Sequence, residues 1–357
     1  MSLLPSFKGS PIGLDIGCRV IKAVQLRRER GGYKVAASAS IGRTRPGEMI
    51  DRDEVLRLSR VLSQQGFRGR QLIVTVPSEQ VMSSVLDMPP RDSGAPYNLI
   101  ATQEFARLQN QTPGQFEVAW WDIPKPARSS SAKVMTVGCA HADTDPLLDL
   151  LTGCGFDVAG IDSGLCASVR ACREQLGPAD AMSAVLDLGW NAARIGLVHG
   201  GVLVFDRTFV RLGLGGLHNR VTESFAIDPA EADCLIQSVG LVRDTDQTGA
   251  ENLDARTQAV APRLRPMFTP YLKEMARELE ASFEYATHQY PEAQPHRLVL
   301  FGGGGAVPGL SEELDSMIEP QVQRADALGW GEHAGASDTG SAPAIMATAL
   351  GLARYYE

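Results

Sequence analysis

The stretch IGLDIGCRVIKAVQL, from Ile12 to Leu26, consists of an apolar strand, an Asp-x-Gly turn and a second strand. The stretch AVLDLGWNAARIGLVHGGVLVFDR, from Ala184 to Arg207, repeats this layout in the second half of the chain. In each hairpin the first strand places a carboxylate at its end, and the glycine lets the chain reverse and expose backbone N–H groups beside that carboxylate. Two such hairpins that face each other can bind a metal-bound polyphosphate from two sides.

A third stretch, LVLFGGGGAVPGL, from Leu298 to Leu310, adds a strand that runs into four consecutive glycines. These are Gly302, Gly303, Gly304 and Gly305. Because glycine has no side chain, the backbone there can approach a flat base or a phosphate closely. A helix that starts near Leu310 would direct its N-terminal amides at the anion. The three stretches together predict a nucleotide site.

The order of these stretches resembles the superfamily of actin, heat-shock proteins and sugar kinases, and within it the PilM family of type IV pilus assembly proteins. Four further segments resemble PilM segments in the same order: Leu72 to Pro90, Ala101 to Pro113, Cys154 to Asp162 and Ser341 to Tyr355. The cell-division protein FtsA is the nearest relative outside that family. The resemblance implies an α/β fold of the actin-like (ribonuclease H-like) type, with two lobes and an inserted subdomain called 1C.

The resemblance also implies four subdomains. Residues 1–80, 158–182 and 341–357 form 1A, residues 81–157 form the inserted 1C, residues 183–215 and 296–340 form 2A, and residues 216–295 form 2B. FtsA and PilM share the inserted subdomain, which actin lacks. A length of 357 residues exceeds that of one typical domain and agrees with two lobes.

Periodicity and turn residues predict the elements between these motifs. Leu72 to Pro77 is a buried strand, and Gly164 to Gln175 is a helix. The polar segment from Arg243 to Arg265 is predicted to be a mobile connection, and the polar stretch from Gly329 to Ser341 a surface loop. Tyr271 to Tyr290 is predicted to be an amphipathic helix. Its core-facing stripe is Leu272, Met275, Leu279, Phe283 and Ala286.

Composition excludes several classes of protein. A net charge of −8 with interspersed basic residues argues against nucleic acid as a partner. The short basic run of Arg27, Arg28 and Arg30 is interpreted as a solvated hairpin tip.

The six cysteines have neither CxxC pairing nor zinc spacing, and we interpret them as reduced thiols. Without a signal peptide or a long apolar run, the protein is expected in the cytoplasm, reaching the inner face of the inner membrane through a partner.

The candidate site residues come from the two Asp-x-Gly hairpins. Asp15 and Asp187 are the candidates to hold Mg²⁺ through water, although spacing alone equally allows them to cap turns between strands. The resemblance implies that Lys22, seven residues after Asp15, contacts a phosphate. Gly17 and Gly189 would open the two phosphate turns. The implied cofactor is ATP or ADP with Mg²⁺.

The chain departs from the family pattern at two places. The second turn usually carries Ser or Thr after its glycine, but here it continues with Trp190 in the sequence WNAA. In the helix PAEADCLIQSVG, Cys234 and Ile236 stand where the family has an acid and a lysine, which leaves Glu231 and Asp233 as polar candidates. The loss of one charged contact lowers affinity by roughly 10- to 100-fold. We therefore expect weakened nucleotide binding and inefficient hydrolysis.

The resemblance implies a cytoplasmic actin-like scaffold of a type IV pilus or related type II secretion machine. It would dock the N-terminal peptide of a PilN-like inner-membrane protein in a groove between 1A and 1C, and communicate with the pilus assembly ATPases. An active ATPase or small-molecule kinase of the same superfamily is the alternative. A kinase needs a catalytic acid beside the acceptor hydroxyl, and no motif in the sequence indicates which residue that would be. A polymerising membrane tether similar to FtsA is less favoured, because the chain stops at ARYYE without an amphipathic membrane helix.

Overall fold

The computed structural model describes residues 9–29, 32–127, 129, 131–241, 255–326 and 343–357. The chain forms two compact units. The first consists of Met1–Lys125, Ser129–Arg173 and Asp326–Glu357, and the second of Pro126–Arg128 and Glu174–Ala325. The predictions for Arg30, for residues 243–254 and for the loop from Gly329 to Ser341 lie outside the described residues.

A five-stranded sheet forms the centre of the first unit, in the order β3-β2-β1-β4-β8. Its strands, numbered in chain order, are β1 (Ile12–Ile16), β2 (Val20–Glu29), β3 (Gly32–Gly42), β4 (Gln71–Thr75) and β8 (Asp157–Asp162). The first three strands are antiparallel neighbours, whereas β4 and β8 extend the sheet in parallel with β1. The predicted buried strand from Leu72 is confirmed, because β4 lies between β1 and β8 and its residues from Leu72 to Thr75 are buried.

The sheet of the second unit repeats this arrangement in the order β11-β10-β9-β12-β13. Its strands are β9 (Met182–Leu188), β10 (Ala193–His199), β11 (Val202–Phe209), β12 (Pro295–Phe301) and β13 (Gln321–Arg324). Here too the first three strands are antiparallel and the last two are parallel. The repeat of the two Asp-x-Gly hairpins in the sequence thus extends to a whole sheet.

The first unit also contains a three-stranded antiparallel sheet, in the order β5-β7-β6. Its strands are β5 (Met82–Met88), β6 (Phe116–Asp122) and β7 (Ala132–Ala140), and helix α2 (Tyr97–Leu108) packs on one face. The rings of Phe105 and Phe116 lie 5.2 Å apart between helix and sheet. Gly138 makes room for them, because a Cβ there would lie 2.7 Å from the Phe105 ring.

The remaining helices of the first unit are α1 (Arg52–Gln64), α3 (His141–Gly153), α4 (Gly164–Ala171) and α9 (Pro343–Ala353). Helices α4 and α9 cross closely, since a Cβ on Gly351 would lie 1.7 Å from the Ala167 carbonyl oxygen. Helix α4 ends four residues before the predicted Gln175. Cys172 and Leu176 are buried in the turns that follow, and this burial gave the sequence its helix-like apolar pattern.

The helices of the second unit are α5 (Leu214–Phe225), α6 (Pro229–Ser238), α7 (Ala255–Gln289) and α8 (Leu310–Asp315). The predicted core stripe of α7 is confirmed, because all five of its residues are buried. The prediction of a mobile connection as far as Arg265 is wrong for its last residues, because α7 already begins at Ala255.

Helix α7 contains three prolines. Pro262, Pro266 and Pro270 are spaced by four residues and are all exposed, so water can reach the carbonyl groups that lose a partner. Leu264 and Phe268 are fully buried on the other side and stabilise the helix by packing. Although α7 has 35 residues, no helix in the described part of the chain is both long and apolar enough to cross a membrane.

Candidate functional site

The first Asp-x-Gly turn, from Gly17 to Val20, joins β1 to β2. The Gly17 N–H donates to the carbonyl oxygen of Val20 over 3.1 Å. The segment after β3 donates two further backbone N–H groups, to the carbonyl oxygens of Cys18 (3.0 Å) and Arg19 (2.8 Å). Protein contacts therefore occupy the carbonyl side of this turn, and its N–H side is the side suited to an anion.

Asp15 and Lys22 face each other across the first hairpin. They are paired residues in the register of β1 and β2, and Lys22 Nζ lies 2.8 Å from Asp15 Oδ2. The side chains of Lys22 and Asp15 retain 16% and 15% exposure, so both remain accessible to a ligand. A Cβ on Gly17 would lie 2.8 Å from the Val20 oxygen and 3.2 Å from Lys22 Nζ. Glycine at this position therefore leaves space for both the turn and the lysine head group.

A buried ion pair holds the segment after β3 against the first turn. Arg43 and Glu54 are only 4% and 2% exposed, and Arg43 Nη2 lies 2.9 Å from Glu54 Oε2. The Thr44 N–H donates to Glu54 Oε1 over 2.7 Å, and Arg43 Nη2 also donates to the Glu48 carbonyl. Burial alone would raise the pKa of Glu54, but the hydrogen bonds from Arg43 and Thr44 outweigh it and lower that pKa. Sequence analysis missed this pair.

The second turn closes with the same bond as the first. The Gly189 N–H donates to the Ala192 oxygen over 3.1 Å. In the second turn, the carbonyl groups accept hydrogen bonds from the start of α5, whereas in the first turn they accept them from the segment after β3. The N–H groups of Leu214 and Gly215 donate to the oxygens of Gly189 and Trp190, each over 2.9 Å. These bonds bind the second turn directly to a helix.

The indole of Trp190 packs against α5, which shows how a bulky residue is accommodated in the turn. A Cβ on Gly215 would lie 3.0 Å from the indole Nε1, so glycine at this position lets the indole pack closely against the helix. The Trp190 ring also meets the buried His218 ring at 4.9 Å and 60°. His218 Nε2 lies 3.2 Å from Asp233 Oδ1, and Glu231 forms the capping box of α6. Both polar candidates of that helix thus stabilise local structure.

The glycine run lies against the strand that carries Asp187. Gly302 has φ of +78° and ψ of −165°, a conformation essentially confined to glycine. A Cβ on Gly302 would lie 2.4 Å from Asp187 Oδ1, and one on Gly304 would lie 2.1 Å from the Leu188 side chain. The Gly305 N–H donates to the Gly302 oxygen over 3.2 Å. The run therefore lets the backbone after β12 pass close to the Asp187 carboxylate.

The structure thus groups the candidate residues by unit. Asp15, Gly17 and Lys22 lie together in the first unit. Asp187, Gly189 and the glycines from 302 to 305 lie in the second. Helix α8 begins at Leu310 as predicted but has only six residues. Within the described ranges, no group of three or more His, Cys, Asp or Glu side chains forms a metal cluster.

Sequence analysis missed a further acid at the carboxyl edge of the first sheet. Thr75 pairs with Asp162, and the register of β1 with β4 places Asp15 beside Thr75. Asp162 is bound by the guanidinium of Arg170 on α4, which also donates to the Gly351 oxygen over 3.0 Å. Burial raises the pKa of Asp162 against the opposing effect of Arg170. The signal available in the sequence was an acid at the end of a strand that precedes a helix.

Comparison with known proteins agrees with this architecture. A family model described as type IV pilus assembly protein PilM matches residues 13–353. The chain is similar to a chain of a PilM-PilN type IV pilus biogenesis complex, with a TM-score of 0.77, 19% identity and coverage of 97% of this chain and 98% of that chain.

Two further solved structures show the same fold at low identity. The ethanolamine utilization protein EutJ from Carboxydothermus hydrogenoformans has a TM-score of 0.53, 16% identity and coverage of 96% of this chain and 88% of that chain. MreB 5 of Spiroplasma citri bound to AMPPNP has a TM-score of 0.55, 9% identity and coverage of 99% of this chain and 97% of that chain. These likenesses confirm the predicted actin-like fold. Since the family model spans nearly the whole chain, the chain belongs to the PilM family of type IV pilus assembly proteins.

Proposed function

We propose that this actin-like type IV pilus assembly protein is a scaffold that binds ATP or ADP with Mg²⁺ at its two Asp-x-Gly turns. Asp15 and Asp187 hold the cation through water, and Lys22 contacts a phosphate. The nucleotide-binding residues are Asp15, Gly17, Lys22, Asp187, Gly189, Gly302, Gly303, Gly304 and Gly305.

One observation carries this proposal. Each turn is closed by the same 3.1 Å bond from its glycine N–H to the carbonyl three residues later, with an aspartate two residues before that glycine. Gly17 and Gly302 add support, because a Cβ at Gly17 would lie 2.8 Å from the Val20 oxygen that closes the first turn, and one at Gly302 would lie 2.4 Å from Asp187 Oδ1. Weak binding is expected, since Trp190 replaces a hydroxyl in the second turn and Ile236 replaces a lysine in α6.

The proposed partner is the N-terminal cytoplasmic peptide of a PilN-like inner-membrane protein, with the pilus assembly ATPases as further partners. The similarity to a chain of a PilM-PilN complex supports this choice. The peptide would dock between subdomains 1A and 1C, and the protein would reach the inner face of the inner membrane only through this partner. The three-stranded sheet β5-β7-β6, whose strands lie between Met82 and Ala140, supports the proposed boundaries of 1C.

Calorimetric titration with Mg²⁺ and ATP or ADP tests the nucleotide site. Asp187→Asn should weaken binding at least 10-fold, because it removes the charge that holds the hydrated cation. Asp228→Asn is the matched control in the same unit: Asn caps helices as well as Asp, so stability and affinity should stay unchanged. If the unaltered protein shows neither heat nor thermal stabilisation at millimolar ATP, nucleotide binding is refuted.

Phosphate release from the same samples separates a scaffold from the alternative, an active ATPase or kinase. We expect release close to the uncatalysed rate, because Asp162, an acid at the edge of the first sheet, is already paired with Arg170. Rapid turnover that Asp162→Asn abolishes would favour the alternative.

Fluorescence anisotropy tests the partner. A labelled peptide with the N-terminal sequence of the PilN-like protein from the same genome should bind saturably, whereas a scrambled peptide should not. If nucleotide switches the scaffold, the peptide affinity will differ between ATP, ADP and no nucleotide, because a ligand shifts a conformational equilibrium only through differential affinity. Equal weak binding of both peptides would refute the proposed docking.

A further inference from the structure

Basic side chains gather at the edge of the first sheet that lies opposite the first Asp-x-Gly turn. Strand β2 carries Arg27 and Arg28 near its end, and Lys34 of β3 pairs with Arg27. Arg68 and Arg70 lie in the segment that leads into β4. Because β2 runs antiparallel to β1 and β4 runs parallel to it, the end of β2 and the start of β4 share one edge. All five residues are exposed, and we call them the basic edge.

A buried glutamine joins the two segments that carry most of the basic edge. Gln25 is 2% exposed, and its Nε2 donates to the carbonyl oxygens of Arg68 over 2.7 Å and Ser10 over 3.1 Å. The Arg68 N–H donates back to Gln25 Oε1 over 2.9 Å. Arg27 follows Gln25 by two residues in the same strand, so both lie on one face of the sheet. The neighbouring Phe67 packs into the core of the first unit. The fold therefore fixes these basic residues beside each other, although they lie far apart in the sequence.

Two acids at the same edge offset only part of this charge. Glu29 lies 2.5 Å from the Arg27 guanidinium and 3.2 Å from Lys34 Nζ. Asp157 is exposed at the start of β8, where it pairs with Gln71. Five basic residues against two acids leave this edge positive in a chain whose net charge is −8. A local excess of this sign attracts anionic surfaces.

The layout of the basic edge fits a broad anionic surface. Its residues lie on β2, on β3 and before β4, and these strands span three strand spacings, about 15 Å. Charge attraction in salt acts only within a Debye length of about 10 Å, so a flat bilayer facing this edge is little affected by the acids elsewhere on the chain. Anionic headgroups attract clustered Lys and Arg without demanding one fixed geometry. The proposed inner-membrane partner would also bring this chain next to a bilayer, which makes lipid headgroups the nearest anions.

We propose that the basic edge contacts the headgroups of anionic phospholipids. Each Lys or Arg near an anionic bilayer strengthens binding about 5-fold, so an excess of three charges gives about 100-fold over a neutral bilayer. Such a contact is weak and reversible, and the partner peptide remains the means of recruitment. The basic edge then turns one side of the first sheet towards the lipid. Only this role at the membrane rests on the proposed function; the lipid contact itself does not.

Cosedimentation of the full chain with vesicles tests the contact. In low salt, the protein should bind vesicles of equal parts phosphatidylglycerol and phosphatidylcholine, and about 0.5 M salt should abolish binding. The double variant Arg28→Gln with Arg68→Gln should bind about 25-fold more weakly. The matched control is Lys273→Gln with Arg277→Gln, which makes the same charge change at exposed positions of α7 in the second unit. This control should bind as the unaltered protein does, and both double variants should keep its melting temperature, because all four residues are exposed.

Three results would overturn the inference. Equal binding to the mixed vesicles and to pure phosphatidylcholine would refute a contact with anionic lipid. An equal loss of binding in both double variants would show that net charge, and not the basic edge, is responsible. Binding to double-stranded DNA without binding to vesicles would refute lipid as the ligand. These samples contain neither nucleotide nor PilN-like peptide, so a negative result here leaves the proposed function standing, and failure of the proposed function leaves the lipid contact testable by itself.

Discussion

Gly302→Ala is the sharpest test of how the glycine run positions Asp187. The added Cβ would lie 2.4 Å from Asp187 Oδ1 and 2.9 Å from the Leu188 oxygen, distances that real Cβ atoms do not adopt. The alanine would also have to adopt φ of +78° with ψ of −165°. That backbone conformation alone costs about 1–3 kcal/mol for a residue other than glycine.

The collision adds to this backbone strain, because the nearest atoms include a carbonyl oxygen of β9 that cannot rotate away. We therefore expect a total loss of about 2–4 kcal/mol in the free energy of unfolding. The corresponding fall in melting temperature is about 5 °C or more. Nucleotide affinity should fall at the same time, since the Asp187 carboxylate must move to make room.

Thermal unfolding followed by circular dichroism measures the effect, with Gly216→Ala as the control. A Cβ on Gly216 would meet nothing within 4 Å, and alanine within α5 should stabilise the helix by about 1 kcal/mol. Gly303→Ala should be intermediate, because its Cβ would lie 3.2 Å from the end of the Leu214 side chain and 3.7 Å from the Leu188 oxygen, an ordinary contact. A melting temperature of Gly302→Ala within about 1 °C of the unaltered protein would refute this reasoning.

Three further predictions concern the surroundings of the site. Glu54→Gln should lower stability at neutral pH by about 3 kcal/mol, because it leaves Arg43 buried without its partner charge. Since the pKa of Glu54 is lowered below 4.5, its stabilisation is present above pH 4.5 and is lost as pH falls through the lowered pKa; melting curves should converge there. Burial raises the pKa of Cys172 to about 12, so iodoacetamide should label the exposed Cys234 in the native protein and Cys172 only after unfolding, as read by mass spectrometry. Trp190→Ala should cost about 2 kcal/mol in urea unfolding and Trp190→Phe less, because the phenyl ring keeps part of the contact with α5.

Local patterns in the sequence predict much of the fold. The two hairpins follow from short-range alternation and an Asp-x-Gly turn, and the spacing of seven residues brings Asp15 opposite Lys22. The start of α7 could not be predicted in this way. The polar residues up to Arg265 predict a connection, and only burial of Leu264 and Phe268 in the tertiary structure overrides that pattern.

The candidate site was predictable only where its residues belong to short sequence motifs. Asp162 reaches the edge that carries Asp15 through parallel pairing of strands separated by long stretches of chain, and no local pattern encodes that register. The pair of Arg43 and Glu54 escaped prediction for a related reason. The pair stabilises the segment because it is buried, and the sequence does not show that burial. Charged residues are mostly exposed, so from sequence alone they are expected to be solvated.

The two turns of the repeat share their closing bond but differ in what supports them, and this difference bears on function. A loop held by a buried ion pair supports the first turn, and the accessible Lys22 and Asp15 stand beside it. A helix and the Trp190 indole support the second turn. A turn fixed by packing is rigid without a ligand, whereas the partly exposed charged groups of Lys22 and Asp15 can exchange partners when a phosphate arrives. The ligand-dependent changes in this protein should therefore begin in the first unit, the unit that also carries the three-stranded sheet of the proposed partner groove.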